Sequence, residues 1–415
     1  MTSRCGQGFA VGGYHREMRG GGGLPTSERL PFLEGIRGLL ALYVTLGHLG
    51  TLADPSGLTG KPSAAPAWMQ SLLMPFAFGH LAVAMFILVS GFCLQLSLYV
   101  GNAGDLPHPT RFFARRARRI LPPYYVTLFL SLLVCWGITD RQVGMPFELY
   151  VPVTPAAFWT HVFLVHNFNV DWMYRINGVL WSIAIEAQLY VLFPLLVLLL
   201  RRGGRWLFLL ANASVVALIF FAVPGANKLY PWYLLLFSMG MVAAALAYRP
   251  SVSIGVRPAL GGTLTLIGLA VFGVGSAVSA PLPVRDILFG AFGASLLYTL
   301  TVRPDGWLTR PLISLLASAP LYRLGLFSYS LYLMHHPLLQ VGYSIRPGGF
   351  DSPDQKLGFL LAMLPLVLAG CYGFYLLFER RFVRGSSDTA QEDLRAGFPL
   401  ALPLKGWTDD AAASA

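Results

Sequence analysis

Runs of roughly 17 to 25 mostly apolar residues, each long enough to cross the hydrocarbon core of a bilayer as a helix, recur along this chain. They fall near residues 36–54, 76–98, 121–138, 179–200, 206–223, 231–248, 258–278, 285–302, 325–343 and 357–379. Nothing else in the sequence constrains the fold so strongly, because hydrocarbon offers the backbone no water to bond and a crossing segment must satisfy its own amides. The expected architecture is an all-α polytopic membrane bundle of about ten transmembrane helices.

Composition agrees, with 55% hydrophobic and 12% charged residues in 415, more oil than a soluble core of this size buries. The net charge of +11 and a pI near 9.6 would suggest nucleic acid as a partner of a soluble protein. Here the basic residues punctuate apolar runs, so membrane lipid and topology account for them, and no nucleic-acid partner is expected. Seven of the 30 basic residues, Lys61, Arg141, Arg175, Lys228, Arg285, Arg346 and Lys356, fall on one side of the predicted spans, and all the others fall on the opposite side. The positive-inside rule then places both termini in the cytoplasm. Residues 1–30 and 385–415 read as loose cytoplasmic tails flanking a membrane domain over 31–384. Parity makes residues 150–168, with His161 and His166, a re-entrant or interfacial segment on the outer face. The four cysteines show no CxxC spacing and no companion histidines at ligand intervals, so neither a disulfide framework nor a metal site is expected.

Ionisable groups inside spans are costly and mark function by default. His48 follows Arg37 by eleven residues, which lifts it about 16 Å along a helix. In the fourth span WSIAIEAQLY carries Trp181, Ser182, Glu186 and Gln188, and a carboxylate at that depth needs a partner, for which His48 is the candidate. The ninth span contains SYSLYLMHHP, where Tyr332 and His336 share a helical face at i and i+4. His80 opens the second span, and Ser90 with Gly91 in FILVSGF suits close helix approach. The run RFFARRARRILPPYY repeats Arg115, Arg116 and Arg119 over adjacent turns, as either a topological anchor or a phosphate clamp. Intramembrane Glu, His and Arg also describe a proton-coupled transporter, although no internal repeat accompanies them.

Taken in order, these pieces resemble the acyltransferase-3 family of multi-pass membrane O-acyltransferases. The carriers of the resemblance are Arg37 and His48 within LEGIRGLLALYVTLGHLG, FILVSGF, the Arg115, Arg116, Arg119 and Pro122 element, the WSxxxExQxY run, SYSLYLMHHP, and the closing FYLLFERRF with Glu379. One departure is Ala187, where the family often has a second acidic residue. The resemblance implies transfer of an acetyl or other short acyl group from acyl-CoA to a hydroxyl of a carbohydrate, envelope glycan or secondary metabolite, in a bacterial cytoplasmic membrane. His48 would be general base or transient acyl carrier, and Glu186 would orient it or shuttle its proton. Arg37, Arg115, Arg116 and Arg119 would meet the CoA phosphates, with Trp181, Ser182, Gln188, Tyr332 and His336 around the substrate. No permanently bound cofactor is implied, since acyl-CoA is the donor substrate.

Overall fold

The computed structural model describes residues 30–101, 108–138, 146–248, 258–344, 350 and 352–382. The two tails, apart from Leu30, lie outside these residues, as do Arg141, Arg249, Arg257 and Arg346. Among the described residues every regular element is helical. The long ones are α1 (Pro31–Ala53), α2 (Gly79–Gly101), α3 (Pro109–Ile138), α4 (Pro155–Val162), α5 (Leu180–Ala222), α6 (Tyr233–Tyr248), α7 (Pro258–Ala277), α8 (Leu282–Val302), α9 (Thr309–Leu316), α10 (Ala319–Leu326), α11 (Ser328–Ser344) and α12 (Pro353–Phe374).

Helix covers every one of the predicted spans. Five stretches are long and apolar enough on their own to cross a membrane: Pro31–Ala53, Ala67–Tyr99, Pro109–Gly137, Leu180–Ala222 and Pro353–Phe382. Tyr233–Ala247 and Gly261–Ala277 are shorter apolar helices. The fourth of the long stretches counts once by continuity but contains two straight segments. At ~1.5 Å per residue it would run about twice the ~30 Å thickness of a bilayer core. It breaks instead at Gly204, whose φ of 66° and ψ of 173° are open to glycine and closed to a side chain. The break falls in the RRGGR run that separates the predicted fourth and fifth spans.

Two glycines explain how the centre of the bundle closes. At the crossing of α2 and α6, a Cβ on Gly91 would collide with the carbonyl of Phe237, and one on Gly240 would collide with the carbonyl of Leu88. Each helix thus presses its bare backbone against the other, the small-residue contact that membrane helices use in place of a hydrophobic drive. Around this crossing lie the buried side chains of Phe92, Phe193, Trp232 and Phe237. Outward-facing Phe129, Trp136, Leu210, Phe221 and Leu266 remain exposed, which is the inverse of a soluble surface and the expectation for a lipid-facing one.

Among the described residues, the segment between α3 and α5 contains no helix long enough to span a bilayer core. Its longest piece, α4, has eight residues, about 12 Å of rise against the ~30 Å of a bilayer core. Thr154 starts α4 by accepting a hydrogen bond from the Ala157 amide. Tyr124 and Tyr125 of α3 donate to the carbonyls of His161 and Val162, both at 2.8 Å, and Gln188 of α5 donates to Leu164 at 2.9 Å and to Asn167 at 2.7 Å. Inside the segment the His161 and His166 rings stack 3.7 Å apart and 8° from parallel. Burial pushes the imidazole of His161 down to about 4 and holds His166 well below the usual histidine range, so both are neutral near pH 7.

Candidate active site

A partly open pocket lies among α1, α2, α3, α5 and α11. Arg37 of α1 and Arg119 of α3 line it together with Glu186 and Tyr190 of α5, and Ser182 and Tyr332 meet on its wall at 2.7 Å. Val83, Phe86, Ile120 and Ile183 give the remainder of the wall an apolar face. Arg37 also reaches Glu34 at 3.5 Å, a weak partner that leaves most of its guanidinium donors available.

The carboxylate of Glu186 is held by two hydroxyls. Ser90 donates to Oε1 at 2.9 Å and Tyr190, one turn further along α5, donates to the same oxygen at 2.5 Å. Those two hydroxyls are themselves 2.6 Å apart. Ser90 belongs to FILVSGF, and it reaches α5 because the glycine crossing next to it sets the packing of α2.

His48 stands at the other end of α1, half-buried, against α11. Its Nδ1 lies 2.8 Å from Nε2 of His335, and its ring makes an edge contact with His336 at 4.0 Å between centroids. His335 is fully buried, and its Nδ1 lies 2.9 Å from the Leu331 carbonyl. His336 engages the Tyr150 hydroxyl at 2.5 Å through Nδ1. Tyr332, on the cavity wall, lies one turn before both histidines on α11, with 6.0 Å between its ring centroid and that of His335. The cavity and the histidine cluster are therefore joined by a single helix turn.

Several sequence expectations change here. Glu186 was expected to partner His48, but its hydrogen bonds go to Ser90 and Tyr190, while His48 bonds to His335. Spacing along two helices gives depth and leaves the facing directions open, and the face of α5 that bears Glu186 turns toward Arg37. Arg115 points outward and is exposed, so the expected arginine clamp reduces to Arg37 and Arg119 on the cavity, with Arg116 half-buried behind them. The Nε of Arg116 is buried without a hydrogen-bond partner among the described residues. Gln188 spends its amide on the segment between α3 and α5, and Trp181 stacks on Tyr230 at 4.4 Å, so neither lines the cavity. His336 and Tyr332 do share a region, but Tyr332 faces the cavity and His336 faces His48.

The fold also brings His48, His335 and His336 together, with one ring nitrogen of each inside a 4.8 Å group that has no sequence signal. Sequence spacing missed it since His48 precedes His335 by 287 residues. The strongest omission is His335 itself, passed over for its neighbour His336 when only the i, i+4 match to Tyr332 guided the choice. Tyr150 lay in a loop with no motif, and nothing in the sequence pointed to it.

Comparison with known proteins bears on what such a site does. A family profile described as an acyltransferase domain matches residues 30–378. Acyltransferase MdmB of Streptomyces mycarofaciens is 27% identical over 354 residues, 78% of this chain and 82% of that protein. O-acetyltransferase OatA of Staphylococcus aureus is 25% identical over 341 residues, 75% of this chain and 50% of that protein. Nodulation protein 10 of Rhizobium leguminosarum bv. viciae is 31% identical over 159 residues, 36% of this chain and 39% of its own. This chain thus spans half or less of the length of the latter two relatives. No solved structure matches it. With the profile covering residues 30–378, the chain belongs to the acyltransferase-3 family.

Proposed function

We propose that this membrane acyltransferase moves an acetyl or similarly short acyl group from acyl-CoA to a hydroxyl of a carbohydrate, envelope glycan or secondary metabolite. The observation that carries the reading is the build of α1 and its surroundings, with Arg37 in a cavity shared with Arg119 and the imidazole of His48 about 16 Å further along the same helix. Arginines supply the bidentate, charge-assisted bonds that phosphates take, and the unpartnered Nε of Arg116 adds a donor beside them. A CoA molecule entered from that end extends its thiol arm past Glu186 toward Tyr332 and the histidines.

The acceptor hydroxyl gives its proton to His48 while its oxygen attacks the thioester carbonyl, so a C–O bond forms. The tetrahedral oxyanion receives a hydrogen bond from the Ser182 and Tyr332 hydroxyl pair, and its collapse breaks the C–S bond. The departing thiolate recovers the proton from the His48 imidazolium, which leaves the base ready for another cycle. Glu186, held by Ser90 and Tyr190, keeps the inner part of the cavity polar and balances the arginine charge between turnovers.

Ten spans with both termini in the cytoplasm fit this reading, since they put the arginine end inside and His48 toward the outer leaflet. The name of one relative, an O-acetyltransferase, favours an oxygen acceptor. The carrier alternative lacks any comparable support, as an acyltransferase profile covers most of the chain. The test is a purified preparation in lipid, supplied with labelled acetyl-CoA and a panel of sugars and macrolides. Label in an acceptor hydroxyl supports the reading. Substrate flux across vesicles with no acyl transfer contradicts it.

A further inference from the structure

The donors and acceptors around His48 can be assigned one by one. The Leu331 carbonyl only accepts, so the His335 nitrogen 2.9 Å from it, Nδ1, bears a proton. His335 is fully buried with no carboxylate bonded to it, and an unpaired buried imidazolium is too costly to keep. A neutral ring with its proton on Nδ1 has a bare lone pair on Nε2. That lone pair lies 2.8 Å from Nδ1 of His48. The contact is a hydrogen bond only if His48 donates, which puts the proton of a neutral His48 on Nδ1 and leaves its Nε2 free.

We infer that His335 is a positioning residue which fixes the His48 tautomer, through the series Leu331 carbonyl, His335, His48, so that Nε2 of His48 is the atom that takes the acceptor proton. The inference rests on the general-base reading above and adds the atom and the residue that selects it. The arrangement performs with an imidazole what a carboxylate does for a catalytic histidine elsewhere: it orients the ring and holds the proton on the far nitrogen. It also explains why Glu186 has other partners. When His48 becomes an imidazolium during turnover, its Nδ1–H still points at the His335 lone pair, and the second proton sits on Nε2 facing the acceptor.

His336 supports the same geometry from the side. Its ring edge packs on His48 at 4.0 Å, and the Tyr150 hydroxyl at 2.5 Å fixes its rotation. A metal ion held by the three histidines would need the lone pairs of both His48 and His335 for itself. It is therefore incompatible with a proton shared between those two rings.

Three variants and one spectrum test the inference. His335→Phe keeps a flat ring and removes the acceptor, and His335→Gln places an amide oxygen near the position of Nε2. We expect kcat for His335→Phe to fall roughly 100-fold or more with KM for acetyl-CoA unchanged, and His335→Gln to recover at least a tenth of wild-type kcat. Equal activity of His335→Phe and wild type overturns the inference. Nitrogen NMR of histidine-labelled wild-type protein, with His48→Ala to assign the signal, reads the tautomer whether or not any variant folds. A protonated Nδ1 and bare Nε2 on His48 is the expected result, and the opposite tautomer overturns it. One equivalent of tightly bound zinc in protein purified without chelators overturns it as well. If His48→Ala retains full transfer while the spectrum shows the expected tautomer, the general-base reading fails and the hydrogen-bond assignment stands.

Discussion

Each polar side chain at the cavity has a distinct consequence when changed. Arg119→Ala removes a guanidinium from the cavity wall that is proposed to meet a donor phosphate, and hydrogen bonds to charged groups contribute about 1.5–3 kcal/mol each. The expected outcome is a KM for acetyl-CoA raised on the order of ten-fold or more, with kcat little changed, as measured by steady-state kinetics. Arg115→Ala is the control, because its side chain is exposed and away from the cavity, and it should leave KM within a factor of about two. Tyr332→Phe deletes the hydroxyl that meets Ser182 at 2.7 Å; on the proposed mechanism it is an oxyanion donor, so kcat should fall by about 100-fold or more. Arg37, His48, Glu186, Ser182 and Tyr332 were all legible in the sequence, because ionisable and hydroxyl groups stand out against apolar spans. Which of them touch was not legible. Glu186 and His48 have suitable depths, yet the rotation of α5 about its axis sends the carboxylate to Ser90 and Tyr190. Rotation is set by packing of the whole bundle, and no local spacing encodes it.

At the scale of elements, the crossing of α2 and α6 supports the site. Gly91 and Gly240 each meet the opposing backbone, so Gly91→Leu forces the helices apart and carries Ser90 away from Glu186. Overpacking of this kind costs about 1–3 kcal/mol or more, and the variant should unfold at lower temperature in detergent, with activity lost at temperatures where it remains folded. The segment between α3 and α5 should respond to pH with a definite sign. His161 is neutral when buried, held down to about 4 against an ordinary value of 6.5, and the unfolded segment therefore binds more protons as the pH falls. Its contribution is complete above pH 6.5 and is lost progressively between 6.5 and about 4. Limited proteolysis of the region 146–178 should accelerate over that interval in wild type, and His161→Phe should flatten the response. The segment's non-spanning character followed from charge parity, and α4 is too short to contradict it. The stacking of His161 on His166 had no sequence signal, since an i, i+5 pair in an irregular loop has no fixed geometry.

For the whole molecule, the claim is a bundle with an arginine end and an imidazole end. Sequence patterning conveyed the helical class, and every predicted span is covered by helix, including the two that Gly204 separates within one continuous stretch. It conveyed the family as well, because the short motifs in their fixed order pointed to the family whose profile matches residues 30–378. What it could not convey is the meeting of α1 with α11, which joins residues 287 positions apart and converts isolated histidines into a cluster. Cysteine labelling from either side of sealed vesicles checks the polarity: a cysteine at Arg205 should react only with reagent on the cytoplasmic side and one at Lys61 only from outside.

The most direct measurement compares acetyl-CoA binding with acyl transfer in wild type and His48→Ala, both reconstituted in lipid and confirmed folded. Binding of the thioester should be unchanged, because the arginines remain, and transfer should fall roughly 100-fold or more, because the base is gone. Transfer by His48→Ala at the wild-type rate would contradict the general-base role of His48.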